Sequence, residues 1–519
     1  MLQRLLARVP LQVRLWLVTC VCTLSGYKYA VRSLSFLTPT LEQFANETFN
    51  GTLDQTEIDW FVSAGGAGFY VGQLGGYLIL PIGLEILGSR DTALLLMSVG
   101  IGAGLLMEII AKPMQSFAMF LAGHGMTGVG SALSPALILY VAESMPMEFR
   151  GKSAMLTSTG NQILMAIGAI LSSPWIFGTE KLWIAFPAAG LVLLIPQLIG
   201  WRAFPDSPKF LYLVKRCKKS ALDSLYWFHG KNADTLAHVR EYEHESHLSR
   251  SSKTSSTDSL IDIIKTPHLF MPFKLCVVSR LGFRMGGDAV NTQYLSDIIM
   301  SFGVDDEYTS LAMCVVFLLS TVISLFVAMV LIDKLGRRIL LLLSMAVDFL
   351  GIALMYAAML FTKSPLLTEY FGVIGTFLMS ASSPLGLEKL PALLVAELCP
   401  QSSQAVTISI SMWLGTLGSI IQSLLFPFME RTLGAHVWLS FMAIELLSFI
   451  YLFLYLPETS GKTVEQVADL WRRAKAETDG YTEIGDSENA DHQRRRKTEK
   501  DKTTDERTSL LHKKSKSFA

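Results

Sequence analysis

The chain has 519 residues, of which 51% are hydrophobic and 17% are charged, and its mean hydropathy is +0.40. Globular chains usually carry about 25% charged residues, so this composition argues against an ordinary soluble protein and predicts a membrane protein. The 44 basic and 44 acidic residues cancel to a net charge of zero, so no global excess of positive charge points to nucleic acid as a partner.

Apolar runs long enough to cross a bilayer recur along the whole chain. A transmembrane helix needs about 20 apolar residues, and twelve runs meet this length. They are 13–33, 58–82, 91–112, 115–141, 153–175, 182–203, 270–300, 307–332, 338–361, 368–396, 405–428 and 437–456. The first run contains Lys28 and Arg32 and lacks a clear small-residue cleavage site, so we expect a retained span rather than a signal peptide. The pattern predicts an all-α membrane protein with twelve transmembrane helices in two six-helix halves.

The loop charges predict the orientation of these spans. One set of loops is rich in Lys and Arg, whereas loop 34–57 is acidic, and basic loops tend to stay in the cytosol. We therefore expect both termini and the polar linker 204–268 in the cytosol, and loop 34–57 outside or in a lumen. That loop contains two N-x-T sequons, at Asn46 and Asn50, which predict glycosylation there.

The remaining polar segments lie between and after the two halves. The division is 1–203 for the first half, 204–268 for a linker with short helices, and 269–456 for the second half. Residues 457–519 form a charged tail that we expect to be largely disordered. Within the tail, a segment built on Glu506, Leu510 and Leu511 resembles acidic dileucine sorting signals. It predicts a sorting adaptor and a plasma, endosomal or lysosomal membrane, and a chance leucine pair is the alternative.

Short charged motifs occur twice, about 250 residues apart. Residues 85–90 (EILGSR) are echoed by 333–338 (DKLGRR), and residues 205–208 (PDSP) by 457–459 (PET). A membrane chain built from two parallel halves is a known transporter plan, with the solute site at their interface. The repeat therefore predicts solute transport.

Five motifs in chain order make the prediction specific. They are 140–151 (YVAESMPMEFRG), 205–211 (PDSPKFL), 333–338 (DKLGRR), 396–401 (AELCPQ) and 456–461 (LPETSG). With these motifs, the chain from about residue 13 to 466 resembles the sugar porter family of the major facilitator superfamily, which includes the facilitative glucose transporters. The resemblance implies a divergent carrier that works by alternating access. The sequence shows no nucleophile elbow, metal cluster or phosphate loop, so we expect no enzyme activity, metal or cofactor.

The resemblance also implies a gating role for the charged motif residues. In the family, such residues at cytosolic helix ends form a network that holds the outward-open state. Ser89 and His124 stand where the family usually has Arg, so we expect a looser network. The predicted gating residues are Glu85, Arg90, Glu143, Arg150, Asp333, Arg337, Arg338 and Glu397.

Polar residues inside the spans predict the solute site. Gln162 matches the span-five glutamine that contacts sugar hydroxyls in the family, and an amide both donates and accepts hydrogen bonds. Span seven departs from the family, because Gly282 and Phe283 replace a glutamine pair and Asp288 replaces an asparagine. Span ten has Ala392 where glucose carriers usually have tryptophan. The predicted substrate-binding residues are Gln162, Arg284, Asp288, Asn291, Glu388, Lys389 and Trp413.

The charges in spans one, seven and ten leave the substrate class open. Arg280, Arg284 and Asp288 are spaced to share one helix face. The charges either pair internally or meet a polar or anionic solute, because an unpartnered buried charge costs several kcal/mol. Asp288 or Glu388 is also a candidate carrier of a coupling proton. The leading prediction is a carrier that lies in the membrane lipid and transports a small, hexose-like solute across the membrane. The alternatives are an organic anion carrier, a proton-coupled carrier and a transport-inactive sensor, with no nucleic acid as a partner.

Overall fold

The structure of the chain is a computed structural model. It describes residues 3, 6–24, 44, 48–49, 54–173, 175–177, 179, 182–230, 240, 260–326, 330, 332–360, 365–388, 390–399 and 401–459. Throughout these ranges the regular structure is helical, without a β-strand.

The N-terminal helices, which precede residue 204, are α1 (Leu11–Thr23), α2 (Gln55–Ile86), α3 (Met97–Ala111), α4 (Phe117–Ala132), α5 (Pro135–Ser144), α6 (Met147–Leu171) and α7 (Ala185–Ala203). A π-helical turn at Asp91–Leu96 leads into α3. Three short helices follow, α8 (Pro208–Leu213), α9 (Lys218–His229) and α10 (Leu260–Lys265).

The C-terminal helices are α11 (Pro267–Phe283), α12 (Ala289–Gln293), α13 (Leu295–Ser301), α14 (Asp306–Phe326), α15 (Ile332–Leu335), α16 (Arg337–Leu360), α17 (Pro365–Ser382), α18 (Leu390–Leu398), α19 (Gln401–Leu433) and α20 (Val437–Tyr455). Two π-helical turns connect them: Arg284–Asp288 joins α11 to α12, and Ser383–Leu387 follows α17. A 3₁₀ turn, Gly434–His436, leads into α20.

Several helices have the length and composition of membrane spans. Six stretches among the described residues are long and apolar enough to cross a bilayer. They are Ser63–Ile86, Asp91–Ala111, Ala185–Ala203, Arg337–Leu360, Pro365–Leu387 and Val406–Tyr455. The last stretch is 50 residues long and holds both α19 and α20. Large apolar side chains such as Leu78 and Leu447 are exposed on these helices, as expected for surfaces that face lipid tails. The chain is therefore an integral, multi-pass membrane protein.

Three of the predicted spans are interrupted where a single helix was expected. The span predicted at 115–141 divides between α4 and α5, with Pro135 at the start of α5, where its missing N–H is tolerated. The span predicted at 270–300 breaks at Gly287, whose φ of 112° lies outside the helical range. The span predicted at 368–396 contains the π turn after α17. Such breaks leave hydropathy unchanged, so an apolar pattern does not reveal them.

Close helix contacts are made at glycines in both sets of helices. A Cβ atom at Gly123 of α4 would lie 2.8 Å from the carbonyl oxygen of Gly104 in α3. In the C-terminal helices, a Cβ atom at Gly351 of α16 would lie 2.8 Å from the carbonyl oxygen of Gly375 in α17. Small residues allow membrane helices to approach this closely. Both sets of helices are thus packed tightly enough to hold their inner side chains in defined positions.

The two ends of the bundle differ in their sequence markers. The motif end carries Gly88, after α2, and Gly336, before α16. The opposite end carries Asp54, which begins α2 through a capping box with Glu57, and Gly434, which follows α19.

The N-terminal and C-terminal helices meet through α2, which packs on α19, and α6, which packs on α14. The Gln293 amide nitrogen donates to the Gly66 carbonyl oxygen at 2.8 Å. The Tyr294 hydroxyl, which donates to the Ser423 carbonyl oxygen of α19, also lies 3.4 Å from the Ser63 hydroxyl of α2. Nearer the start of α2, the Trp60 and Phe428 rings lie 4.2 Å apart between centroids. These contacts join the two sets of helices toward the opposite end.

Candidate functional site

The first glycine turn ends α2 at the motif end. Gly88 has φ +90°, a conformation that glycine adopts most easily, and a Cβ atom there would lie 2.6 Å from the Phe210 ring. Two residues later, Arg90 forms ion pairs with Asp206 (Nε to Oδ1, 2.8 Å) and Asp91 (Nη2 to Oδ1, 2.7 Å). The Arg90 guanidinium also donates to the Phe204 carbonyl oxygen at 3.0 Å. The turn is therefore tied to the segment that follows α7.

The same turn is joined to α5 by a hydroxyl group. The Ser89 hydroxyl donates to the Glu143 carboxylate at 2.8 Å. Ser89 is buried, whereas Glu85, one turn earlier, is exposed. The serine thus links the turn to α5 through one hydrogen bond to Glu143.

The second glycine turn repeats this arrangement before α16. Gly336 has φ +81°, and a Cβ atom there would lie 2.6 Å from a carboxylate oxygen of Glu458. The backbone N–H groups of Arg337 and Arg338 donate to that carboxylate at 2.9 and 3.2 Å. The Arg338 guanidinium donates to the Phe453 carbonyl oxygen at 2.7 Å. An acidic residue after the last helix of each set therefore holds the turn at the motif end.

Asp206 and Glu458 are partners that sequence reasoning omitted from the gating set. They occupy the second position of the repeated motifs that begin at Pro205 and Pro457. This shared position could have identified them from the sequence, because Asp206 and Glu458 occur in both copies of the repeat, as Arg90 and Arg338 do. The side chains of the other predicted gating residues, Arg150, Asp333 and Glu397, lie outside the described part of the chain.

A buried charged cluster lies where α11 meets α17 and α19. Arg284 Nη1 lies 2.6 Å from Asp288 Oδ2, so these two predicted residues form an ion pair across the π turn. Arg280 donates to the Glu388 carbonyl oxygen at 3.1 Å and contacts the Met412 sulfur at 2.8 Å. Both arginine side chains are buried, at 6% and 7% exposure. Arg280 therefore belongs to the site. The sequence analysis noted that it shares a helix face with Arg284 and Asp288 but did not include it among the predicted binding residues.

Two features of neighbouring helices position this cluster. Gly415 of α19 leaves room for the arginine stems, because a Cβ atom there would lie 3.1 Å from Arg280 Cγ and 3.2 Å from Arg284 Cγ. Tyr77 of α2 and the Glu388 carboxylate lie within electrostatic range of both guanidinium groups. The cluster thus faces the N-terminal helices through α2.

The charges in the described cluster balance. Arg280 and Arg284 contribute two formal positive charges, and Asp288 and Glu388 contribute two formal negative charges. Lys389, which the sequence prediction also placed here, lies outside the described residues, as do Lys28 and Arg32. The described side chains therefore form a polar, electrically neutral site.

Asn291 is the predicted residue with unused hydrogen-bonding capacity. It lies on α12, is 7% exposed, and donates from Nδ2 to the Ser380 hydroxyl at 3.0 Å. Its Oδ1 atom is buried and has no hydrogen-bond partner among the residues that the structure describes. Leaving a buried acceptor unsatisfied costs about 1–3 kcal/mol, so this oxygen is suited to accept a hydrogen bond from a bound solute.

The structure describes less of the other residues that were predicted for substrate binding, glycosylation and sorting. Trp413 lies on α19 and is 40% exposed. Gln162 lies on α6, and its side chain is outside the described part of the chain. The predicted glycosylation and sorting residues also lie outside the described residues: Asn46, Asn50, Glu506, Leu510 and Leu511.

His124 has a local role in the N-terminal helices. Its Nδ1 atom lies 3.2 Å from Glu108 Oε1, and both residues are at least 98% buried. The His124 ring stacks on Phe120 with centroids 5.8 Å apart. The histidine therefore joins α3 to α4 inside the bundle. In the described ranges no group of three or more His, Cys, Asp or Glu residues has the arrangement of a metal site.

Comparison with known proteins places this arrangement in one family. The sequence model of the family "Sugar (and other) transporter" matches residues 15–471. The human "Solute carrier family 2, facilitated glucose transporter member 9" is 26% identical over 457 residues, which cover 87% of this chain and 83% of that protein. The horse (Equus caballus) "facilitated glucose transporter member 5" is 25% identical over 467 residues, covering 87% and 90%.

A solved structure shows the same fold. The inward-open xylose transporter XylE from E. coli superposes with a TM-score of 0.71 at 17% identity and covers 88% of this chain and 99% of its own. Because the family match spans most of the sequence and the helical fold agrees, the chain belongs to the sugar transporter family and has the fold of the major facilitator superfamily.

Proposed function

We propose that this protein carries a small, neutral, hexose-like solute across a membrane by alternating access. We further propose that it has twelve spans in two halves, 1–203 and 269–456, with linker 204–268, tail 457–519 and both termini in the cytosol. The family match shows that the chain is a membrane carrier of the sugar transporter type. The names of its relatives, which are facilitated glucose transporters and a xylose transporter, support a sugar as the solute.

The observation that carries the proposal is the unsatisfied acceptor of Asn291. Its Oδ1 atom is buried without a hydrogen-bond partner in the described part of the chain, while Nδ2 already donates to Ser380. A sugar hydroxyl is a donor that fits this oxygen. The neutral charge balance of Arg280, Arg284, Asp288 and Glu388 supports a neutral polar solute over an organic anion.

The glycine turns support alternating access. In each set of helices, an acidic residue anchors the turn at the motif end: Asp206 through Arg90, and Glu458 through backbone amides. We propose that these links hold one conformation and release in the other. Gln293 and Tyr294 make the counterpart contacts toward the opposite end, with Gly66 and Ser63 of α2.

Uptake into proteoliposomes tests the function directly. We would compare labelled glucose, fructose, xylose, inositol and an organic anion, with empty vesicles as the control. Saturable sugar uptake that Asn291→Ala weakens and that excess unlabelled sugar suppresses is the expected result. Anion uptake without sugar uptake would contradict the solute, and binding without any flux would support a sensor.

Three finer features remain proposals with separate tests. Coupling to protons at Asp288 or Glu388 predicts uptake that rises with an inward proton gradient and loses this response in Asp288→Asn or Glu388→Gln. Glycosylation at Asn46 and Asn50 predicts a mass shift that glycosidase removes. Sorting through Leu510 and Leu511 predicts that a double alanine variant moves the protein from endosomal or lysosomal membranes to the cell surface.

A further inference from the structure

Two buried acids that are not members of the charged cluster described above face each other inside the C-terminal helices. Asp348 lies on α16 and is 4% exposed, and Glu445 lies on α20 and is fully buried. Both carboxyl groups border Gly286 in the π turn. A Cβ atom at Gly286 would lie 2.5 Å from Glu445 Oε2 and 3.6 Å from Asp348 Oδ2. Both acids therefore contact the π turn that follows α11.

Neither oxygen of Glu445 receives a hydrogen bond from an amide, hydroxyl or amine group in the described part of the chain. The group in hydrogen-bonding position is the Asp348 carboxyl itself. Asp348 has one further partner, because the Ser382 hydroxyl donates to its Oδ1 atom at 2.5 Å. A carboxyl group donates a hydrogen bond only when it is protonated, so the contact between the two acids requires a proton.

The surrounding charges do not replace that proton. Asp288, in the π turn that packs on α20, adds negative charge near Asp348 and is itself paired with Arg284. Arg284, in the same turn, thus already has its own carboxylate. From α17 the pair meets Ser382, which is neutral. Glu369 of α17 is exposed, and the Glu430 and Arg431 side chains of α19 lie near the opposite end of that helix.

We propose that Asp348 and Glu445 form a proton-binding site that holds one proton between them and couples its release to the bend at Gly286 and Gly287. In the bound form, one carboxyl donates its O–H to the other, and the pair carries one negative charge. Release passes the proton to water and leaves two carboxylates side by side in a site that excludes most solvent. Their repulsion and lost hydration destabilise this arrangement, so α16, α20 and the π turn separate.

The bend at Gly287 can take up this movement, because its backbone is already non-helical. Gly287 has φ +112°, and a Cβ atom there would lie 2.6 Å from Met379 Cε of α17. α12, which carries Asn291, begins two residues after Gly287. Under the proposed transport function, the proton would therefore regulate the position of the solute-binding asparagine.

Infrared difference spectroscopy of the full-length protein in lipid tests the proton site without any transport. Between acidic and mildly alkaline pH, the wild type should lose a carbonyl band of a protonated carboxyl group that shifts in D₂O. Glu445→Gln and Asp348→Asn should each remove this band, whereas Glu369→Gln, the same change at an exposed acid, should retain it. A band that survives both buried-site variants, or that is absent from the wild type, would overturn the proposal.

Solute uptake tests the coupling separately. We expect wild-type uptake to fall as pH rises and to lose most of this pH response in Glu445→Gln, with Glu369→Gln responding like the wild type. Gly286→Ala should shift the response, because its methyl group would displace Glu445, whereas Gly75→Ala meets no atom within 4 Å and should not. An unchanged response in Glu445→Gln would disprove the coupling. Loss of uptake in every protein, with the infrared band intact, would instead disprove the proposed transport function.

Discussion

The Arg90 guanidinium lies 2.8 Å from the Asp206 carboxylate, although 115 residues separate the two along the chain. The side chains are only 16% and 13% exposed, so solvent screens this pair weakly. The pair links the end of α2 to the end of α7 and therefore fixes the motif end of the N-terminal helices.

Removing the Asp206 charge should weaken the conformation that this pair holds. We expect Asp206→Asn to shift the balance of carrier states by about 1.5–3 kcal/mol, the range for hydrogen bonds to charged groups. Uptake at equal protein amount would then change by about tenfold or more. Asp223→Asn changes an exposed acid on the same surface pocket and is the matched control. Equal uptake by the two variants would show that the pair does not gate transport.

The second glycine turn should not tolerate a side chain. Gly336→Ala forces a residue with a Cβ atom into φ +81° and directs that atom at the Glu458 carboxylate. We expect a loss of about 1–3 kcal/mol in stability, measured as a lower Tm of the detergent-solubilised protein. Gly75→Ala, at a position with open space, should leave Tm close to that of the wild type. If Gly336→Ala and Gly75→Ala have the same Tm, the proposed role of the turn is wrong.

Asn291 should contribute to solute affinity through one hydrogen bond. We expect Asn291→Ala to raise KM for the transported sugar by roughly tenfold, as loss of about 1.4 kcal/mol implies. Ser380→Ala should have a smaller effect, because it removes only the group that holds Nδ2 in place. KM values from uptake at several sugar concentrations would distinguish the two. A larger effect from Ser380→Ala would mean that the hydroxyl, rather than the amide, contacts the solute.

The arginine cluster should show charge coupling between α11 and the turn after α17. Arg280→Gln leaves one negative charge in excess, so we expect it to destabilise the protein more than the neutral double change Arg280→Gln with Glu388→Gln. Leaving a buried charge uncompensated typically costs about 3–5 kcal/mol. Unfolding of the wild type, the two single variants and the double variant gives the coupling energy. Additive effects would show that the two side chains do not interact.

The sequence predicted the membrane class, the family and the positions of several long apolar helices, because length, hydropathy and motif order are local properties. α16, for example, was expected at 338–361 and spans Arg337–Leu360. The bend at Gly287 could not be predicted in this way, since an apolar run has the same hydropathy in a straight or a broken helix. Its position depends on Met379 and Glu445, which are distant along the chain.

The candidate site was predicted in part for a similar reason. The spacing of Arg284 and Asp288 by four residues made an internal ion pair one of two alternatives, and the structure contains that pair. Asp348 and Glu445 occur singly in different apolar runs, so no local pattern joined them. The partner of Arg280 was equally hidden, because it is a backbone carbonyl group, that of Glu388.

The contacts toward the opposite end have an electrical consequence. The Gln293 amide donates to the backbone carbonyl oxygen of Gly66, and the Tyr294 hydroxyl lies 3.4 Å from the Ser63 hydroxyl, so both contacts join neutral groups. Moving one elementary charge across a membrane potential of 100 mV is worth about 2.3 kcal/mol, whereas separating neutral partners moves no such charge. Opening these contacts in the carrier should therefore proceed at the same rate in polarised and depolarised membranes.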